Sequence, residues 1–198
     1  HAIQETAWEV NTEVLQFVDW LQGEGSESPM GFSKYAETGL KLTRDEFDAL
    51  SKGEKREIVH QNSERKARKA KRAAIESRVG LVREISETGS AFYQPMFLDF
   101  RGRVYPKNSM FNNQADHWSK GLMMFSQGTA LRATGLNALK IHTATTWGHD
   151  KLQLEDRIAW VDDNLEMLTA VAESYEYASG ALVSADEPLA AYAATLDV

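Results

Sequence analysis

The chain has 198 residues, 42% of them hydrophobic, no cysteine and a net charge of -7. Without cysteine it can form no disulfide, thiolate nucleophile or Cys-based zinc site. Its apolar stretches fall short of the roughly 20 residues that a membrane-spanning helix needs, so we expect no transmembrane segment. The first residues show neither an initiator Met nor a signal-peptide pattern. We therefore expect the chain to begin inside a longer polypeptide or after disordered or removed residues.

The first half of the chain has the pattern of two long helices. Apolar residues recur every three or four positions over residues 3–21, which predicts one amphipathic helix. A loop of small polar residues and a weakly patterned connector follow. Thr43 and Glu46 have the spacing of a capping box, which predicts a short helix over 43–51. Residues 55–88 contain no proline and a single glycine, so they predict a second long helix.

The character of the sequence changes near Gly89. Residues 92–100 are aromatic and contain a proline, which favours an extended segment, so we expect a domain boundary near Thr88. Helical patterns then cover residues 121–126, 134–147, 154–174 and 189–196. The predicted fold is mainly α with short β pieces (α+β), and the two long helices form an antiparallel hairpin.

Basic residues are concentrated in the second long helix. Eight lysines and arginines lie within residues 65–83, against one acid. Arg65, Lys69 and Arg72 share one helical face. Each such charge placed on a phosphate releases counterions and gives salt-dependent, sequence-independent affinity. The stripe therefore suits a nucleic-acid backbone, and the alternative is an ordinary solvated helix face.

A second candidate site is an extended segment that meets a glycine flanked by two arginines. Gly102 lets the backbone approach a ligand, and the guanidinium groups of Arg101 and Arg103 can hold phosphate oxygens. Asp99 is placed to hold the side chain of Arg103 as a charged partner. Taken alone, the pattern also fits an ordinary loop with a salt bridge.

Short strings in a consistent order carry a resemblance that spans nearly the whole chain. The strings are Thr-Ala-Trp at 6–8, Lys-Ala-Arg-Lys at 66–69, Asp-Phe-Arg-Gly-Arg-Val-Tyr at 99–105, Ser-Met-Phe-Asn at 109–112, Ser-Lys-Gly-Leu at 119–122 and Leu-Lys-Ile-His at 139–142. They resemble the phage and mitochondrial single-subunit DNA-dependent RNA polymerases, whose signature is Asp-x-x-Gly-Arg. The resemblance implies a helical thumb over residues 1–88 and the N-terminal part of the palm over 89–198.

The same resemblance implies roles for individual residues. Arg103 would contact the nucleic-acid backbone near the active site and help to hold the RNA–DNA hybrid, while Asp99 and Gly102 shape its turn. Lys120 would lie near the template strand, and Lys151 would reach the triphosphate of the incoming nucleotide. The residues expected at the nucleic acid are Asp99, Arg101, Gly102, Arg103, Lys120, Lys66, Arg68, Lys69 and Arg72.

The resemblance also implies that the catalytic residues lie outside this chain. Nucleotidyl transfer in the family uses two carboxylates that hold Mg²⁺. Asp162 and Asp163 point about 100° apart on a helix and so do not converge. Asp197 follows an apolar helix that precedes the first catalytic motif. We therefore expect no catalytic or metal-binding residue here, and a chain that is inactive alone.

Two explanations fit a polymerase segment without its catalytic carboxylates. It is a portion of one long chain, or it is the small subunit of a two-subunit phage polymerase, a heterodimer whose second polypeptide supplies the catalytic palm and fingers. The second is favoured, with the helix over 189–196 buried against that subunit. The expected partners are the DNA template, the RNA–DNA hybrid and nucleoside triphosphates, with no membrane.

Other readings stay open for function and compartment. The expected location is the cytoplasm of a bacterial host infected by a phage, and the alternative is the mitochondrion. In place of a polymerase, the chain could be a non-catalytic nucleic-acid-binding helical module that uses the basic helix alone, or a purely structural helical protein.

Overall fold

A computed structural model describes residues 2–35, 42–132 and 134–198. Part of the connector expected before residue 43 falls at 36–41 and so lies outside the described residues. The α-helices are α1 (Ala2–Glu5), α2 (Thr12–Gln22), α3 (Arg44–Asp48), α4 (Lys52–Glu87), α5 (His117–Gly121), α6 (Gly135–Ala144), α7 (Leu154–Asp163), α8 (Leu165–Glu173), α9 (Tyr175–Ala181) and α10 (Pro188–Leu196). Short 3₁₀ turns lie at Glu24–Glu27, Phe32–Tyr35 and Leu182–Ser184, and a π-helical turn at Thr145–His149 follows α6.

Short strands form two small antiparallel sheets. The strands are β1 (Ala7–Val10), β2 (Phe92–Tyr93), β3 (Met96–Leu98), β4 (Val104–Pro106) and β5 (Met123–Phe125). In the first sheet β1 lies between β2 and β5, with Trp8 opposite both Phe92 and Phe125. The second sheet is a hairpin in which β3 pairs with β4. The predicted fold class, mainly α with short β pieces, is confirmed.

The single helix expected over residues 3–21 is wrong. Residues 7–10 form β1, and α2 begins only at Thr12. The side chain of Asn11 accepts a hydrogen bond from the Val14 amide at 3.2 Å and so fixes the start of α2. A helical spacing of apolar residues could not reveal β1, because its partners β2 and β5 lie more than 80 residues later in the chain.

The two helices expected between residues 43 and 88 are confirmed. Thr43 caps α3 and Ser51 caps α4, each in a complete capping box with a glutamate three residues later. Helix α4 runs for 36 residues and ends at Glu87. Gly89 then adopts a positive φ of 60°, a conformation that favours glycine.

The hydrophobic core joins both halves of the chain. Buried residues of α2 and the second half of α4 share one cluster with buried residues of α8, α9 and α10. Phe17 of α2 and Tyr192 of α10 pack with ring centroids 4.4 Å apart, and Arg83 of α4 pairs with Asp19 of α2 at 2.5 Å. The division of the chain near Thr88 therefore does not divide its core.

The interface expected at the C-terminal helix is wrong. In α10 the apolar side chains Leu189, Ala191 and Tyr192 are at most 1% exposed. They pack against elements of this same chain, above all α5 and α8. A helix that its own chain already buries leaves no apolar face for another subunit.

Two other predictions need correction in the second half. The segment 121–126 is not helical, because α5 ends at Gly121 and Met123–Phe125 form β5. The segment 154–174 is two helices, α7 and α8, with a break at Asn164. The helix expected over 134–147 is confirmed, and it continues into the π-helical turn that ends at His149.

Candidate nucleic-acid interface

The segment from Asp99 to Arg103 is the turn that joins β3 to β4. One carboxylate oxygen of Asp99 accepts hydrogen bonds from the backbone amides of Arg101 and Arg103, at 2.8 and 2.9 Å. The Gly102 amide donates to the Asp99 carbonyl, and Gly102 has a φ of 78° that glycine adopts without strain. The Arg103 amide, more than any other group, holds the pKa of Asp99 below its usual value.

The expectation that the Asp99 carboxylate pairs with the side chain of Arg103 is wrong. Its second oxygen pairs with the guanidinium of Arg101, at 3.1 Å from Nε, and not with that of Arg103. The aspartate meets Arg103 only through the backbone. In the described parts of the chain the exposed guanidinium of Arg103 has no hydrogen bond or ion pair. The turn therefore presents a fixed backbone with an uncompensated cation beside it.

An aromatic side chain marks the tip of this turn. Phe100 is 95% exposed, and the Arg101 guanidinium lies 5.2 Å from the centre of its ring. A cation over the ring face holds the two side chains together. The tip of the hairpin thus presents three groups to solvent: the unpaired guanidinium of Arg103, the guanidinium of Arg101 that is paired with Asp99, and the ring of Phe100.

The basic residues of α4 divide into two groups. Arg78 and Arg83 form ion pairs within the chain: Arg78 pairs with Asp116 at 2.8 Å, and Arg83 pairs with Asp19. Nearer the start of the helix the side chains are more exposed. Among the described residues Lys66 and Arg68 have no ion pair.

Two other members of the expected set have neighbours. Arg72 pairs with Glu76 at 2.7 Å and lies 5.9 Å from the Phe32 ring centre. Lys69 is exposed but makes a contact within the chain. A groove of about 580 Å³ between α3 and α4 is lined by Arg44, Arg65 and Lys66 together with apolar side chains.

Lys120 lies on α5 beside the start of α10. Its ammonium is 2.6 Å from a carboxylate oxygen of Glu187, and both side chains are partly exposed. It borders a groove of about 500 Å³ that also includes Trp8 and Phe125, whose rings stack at 4.5 Å. A phosphate that binds Lys120 must therefore share the lysine with Glu187 or displace it.

Lys151 lies in the loop between the π-helical turn and α7. It is exposed and has no hydrogen bond or ion pair within the described ranges. Arg157, which the sequence interpretation missed, donates hydrogen bonds to the carbonyls on either side of it. No side-chain contact that the structure describes joins Lys120 or Lys151 to the Asp99–Arg103 turn, so the expected site residues occupy separate elements.

Comparison with known proteins identifies the family to which this chain belongs. The family described as DNA-dependent RNA polymerase matches residues 129–198. DNA-directed RNA polymerase 1B, mitochondrial, of Nicotiana tabacum is 31% identical over 85% of this chain. DNA-directed RNA polymerase 1, mitochondrial, of Arabidopsis thaliana is 32% identical over 81%. This chain belongs to the phage-type DNA-dependent RNA polymerase family. The resemblance drawn from the short strings is confirmed.

The polymerase relatives are much longer than this chain. It spans 17% of the length of those two plant polymerases. A probable DNA-directed RNA polymerase of Neurospora crassa is 35% identical over 64% of this chain, which corresponds to 13% of that protein. Together these matches extend the similarity well beyond residues 129–198.

In the described portion of the chain no three His, Asp or Glu side chains are grouped so that they could hold a metal ion. Asp162 is paired with Lys140 across α6 and α7. Asp197 is an exposed residue, but partial desolvation of its carboxyl group raises its pKa against the opposing effect of His142.

A helix that crosses a bilayer must be both long and apolar. Over the described residues, every helix is too short or too polar to cross a bilayer.

Proposed function

We propose that this chain is the part of a DNA-dependent RNA polymerase that holds the template and the RNA–DNA hybrid next to the catalytic centre. The observation that carries the proposal is the Asp99–Arg103 turn, in which Asp99 is satisfied by the backbone and by Arg101. Arg103 is thereby left exposed for an external anion. Membership of the polymerase family makes a nucleic-acid phosphate the natural anion.

The geometry of the turn suits tight binding of a backbone phosphate. An arginine fork donates two parallel hydrogen bonds to phosphate oxygens, and such charge-assisted bonds are stronger than neutral ones. Because Gly102 has no side chain, a sugar–phosphate backbone can approach the turn closely. Asp99 fixes the amide of Arg103 in advance, so less freedom is lost when the phosphate binds.

The other basic residues are proposed to act at longer range. Lys66, Arg68, Lys69 and Arg72 would follow the nucleic-acid backbone along α4 and so support processivity. Lys120 would lie near the template strand. Lys151 would contact the triphosphate of the incoming nucleotide. In this proposal residues 1–88 serve as the thumb and residues 89–198 as the N-terminal part of the palm.

The catalytic residues are proposed to lie in another segment or a second polypeptide. Two Mg²⁺ ions, when bound there, would activate the 3′-hydroxyl and stabilise the leaving pyrophosphate. A heterodimer of phage type remains the arrangement that we favour. Its interface is not α10, because this chain's own core covers that helix.

The compartment is also a matter of proposal. The names of the matched plant polymerases place those proteins in mitochondria, or in chloroplasts and mitochondria. These names support the mitochondrial alternative. The cytoplasm of a phage-infected bacterium stays a prediction.

Extension of a primed RNA on an RNA–DNA scaffold tests the proposed function. The assay uses the complete polymerase, with nucleotides and Mg²⁺, and the variant Arg103→Ala. Loss of a charge-assisted hydrogen bond predicts extension that is slower by about 10- to 100-fold. Lys107→Ala is the matched control, since Lys107 is an exposed cation that follows β4 on the same hairpin. It should change extension by less than about twofold.

The result also separates the polymerase from a binding module that uses α4 alone. For such a module Arg103→Ala would leave nucleic-acid affinity unchanged, and substitutions in α4 would remove the affinity. Equal losses in Arg103→Ala and Lys107→Ala would show that only the net charge of the hairpin matters.

A further inference from the structure

The loop that carries Lys151 is built for a fixed shape. The chain leaves the π-helical turn through Gly148, whose φ of 104° an L side chain rarely adopts. A side chain there would also lie within 3.3 Å of the carboxyl carbon of Asp186. The Leu152 amide then donates to the His149 carbonyl at 3.2 Å, which closes a tight turn around residues 150 and 151.

Arg157, in the second turn of α7, spans this loop with a single guanidinium. Its Nε donates to the Leu152 carbonyl at 3.0 Å, and one terminal nitrogen donates to the Asp150 carbonyl. The other terminal nitrogen donates to the Thr145 hydroxyl oxygen at 3.1 Å. The arginine thus binds the carbonyls immediately before and after Lys151, while that hydroxyl connects the loop to the end of α6.

A second contact secures the start of the same loop. The His149 ring lies on the ring of Trp160, with centroids 4.3 Å apart, one turn beyond Arg157 on α7. Contacts with α7 therefore hold the residues on both sides of Lys151. The lysine side chain itself is exposed and unpaired within the residues that the structure covers.

We propose that Arg157 is a positioning residue, which holds the backbone on both sides of Lys151 so that the lysine meets the nucleotide triphosphate in a prearranged geometry. The inference rests on the proposed function of Lys151. A guanidinium suits the task because it stays charged and presents its donors in a rigid planar fork. A mobile loop would lose conformational entropy each time a nucleotide binds. The hydrogen bonds of Arg157 reduce that cost, because they fix the loop beforehand.

The test compares variants of the complete polymerase in steady-state RNA extension at varied nucleotide concentration. Arg157→Ala should raise the KM for nucleotide by about tenfold, because a misplaced binding group loses its contact. Arg157→Lys should recover only part of the loss, since one ammonium cannot bind three acceptors in the same fork. In a Lys151→Met background, Arg157→Ala should add less than about a twofold further change.

Lys140→Met is the matched control for loss of a cation between the same two helices. Lys140 pairs with Asp162 and does not touch the loop. It should leave the KM for nucleotide within about twofold of the unmodified enzyme. Hydrogen exchange of the amides at residues 150–153 gives a second readout, which Arg157→Ala should accelerate and Lys140→Met should not.

The outcomes separate this inference from the function on which it rests. Faster exchange with an unchanged KM would refute the positioning role and leave Arg157 as a structural residue. Full additivity of Arg157→Ala and Lys151→Met would refute it as well. A complete enzyme that extends no RNA would refute the proposed function instead, and hydrogen exchange would then decide whether Arg157 holds the loop.

Discussion

Gly121 is the position at which a single methyl group should have the clearest effect on stability. The residue ends α5, where that helix crosses the start of α10. A Cβ at this position would lie 2.4 Å from the carbonyl oxygen of Leu189 and 2.7 Å from its carbonyl carbon. These are backbone atoms within a buried helix, so no rotamer change can relieve the overlap. Gly121→Ala must therefore push α5 and α10 apart.

The expected loss follows from two opposing terms. Overpacking of a core typically costs about 1–3 kcal/mol. The better helix propensity of alanine recovers at most about 1 kcal/mol, and less at the end of a helix. A net loss of about 2 kcal/mol should lower Tm by about 4–8 °C in a chain of this size. Thermal unfolding of the purified protein, followed by circular dichroism, measures the shift.

The same exchange at Gly80 is the control, with the opposite expected sign. Gly80 lies inside α4, and an added Cβ would meet no atom within 4 Å. Gly80→Ala should therefore raise the free energy of unfolding by up to about 1 kcal/mol and Tm by about 2–4 °C. An unchanged or higher Tm for Gly121→Ala would refute the close approach of α5 and α10, and a lower Tm for Gly80→Ala would refute the open surroundings of α4.

Two further predictions concern pH and salt. His117 accepts a hydrogen bond from the Leu189 amide, and burial lowers its pKa from the usual 6.5, so the unfolded chain binds the proton more tightly. Stability measured by urea unfolding should fall as pH drops below about 6.5, and His117→Gln should flatten that dependence; an unchanged slope would contradict it. Lys66 and Arg68 are predicted to contact phosphates, so replacing both with alanine should weaken binding to an RNA–DNA hybrid. The slope of log K against log salt should become shallower by about two units, and an equal slope would exclude these contacts.

The sequence predicted those elements whose signals are local. The capping box at Thr43 lies within four residues, and the structure contains it; a second capping box at Ser51, which was not predicted, begins α4 three residues earlier than expected. The first sheet was missed because Trp8 pairs with residues far along the chain, and no local pattern encodes such a partner. Asn11 did carry a local signal, since a side chain of its type commonly caps a helix start. An N-cap at Asn11 divides the helix expected over residues 3–21.

The candidate site was predictable in its residues but not in its pairing. Asp99 followed by glycine three positions later is a common turn pattern, which would have assigned the carboxylate to the backbone. Charge complementarity alone led to Arg103 as the partner, although Arg101 is nearer within the turn. The role of Arg157 could not be predicted from the sequence, because it donates to backbone carbonyls, and every residue has a backbone carbonyl.

Helix α4 has a mechanical consequence that its charge pattern does not reveal. Its buried residues are Ile75, Val79 and Val82, all in the second half of the helix. At about 1.5 Å per residue, the first residue, Lys52, lies about 35 Å from Ile75 along the axis. A tilt of about 10° about the anchored end would move that residue by about 6 Å. The same tilt would move Arg65, which lies about 15 Å from Ile75, by about 3 Å, so a small change of orientation at the buried end moves the exposed start of α4 most and its basic residues less.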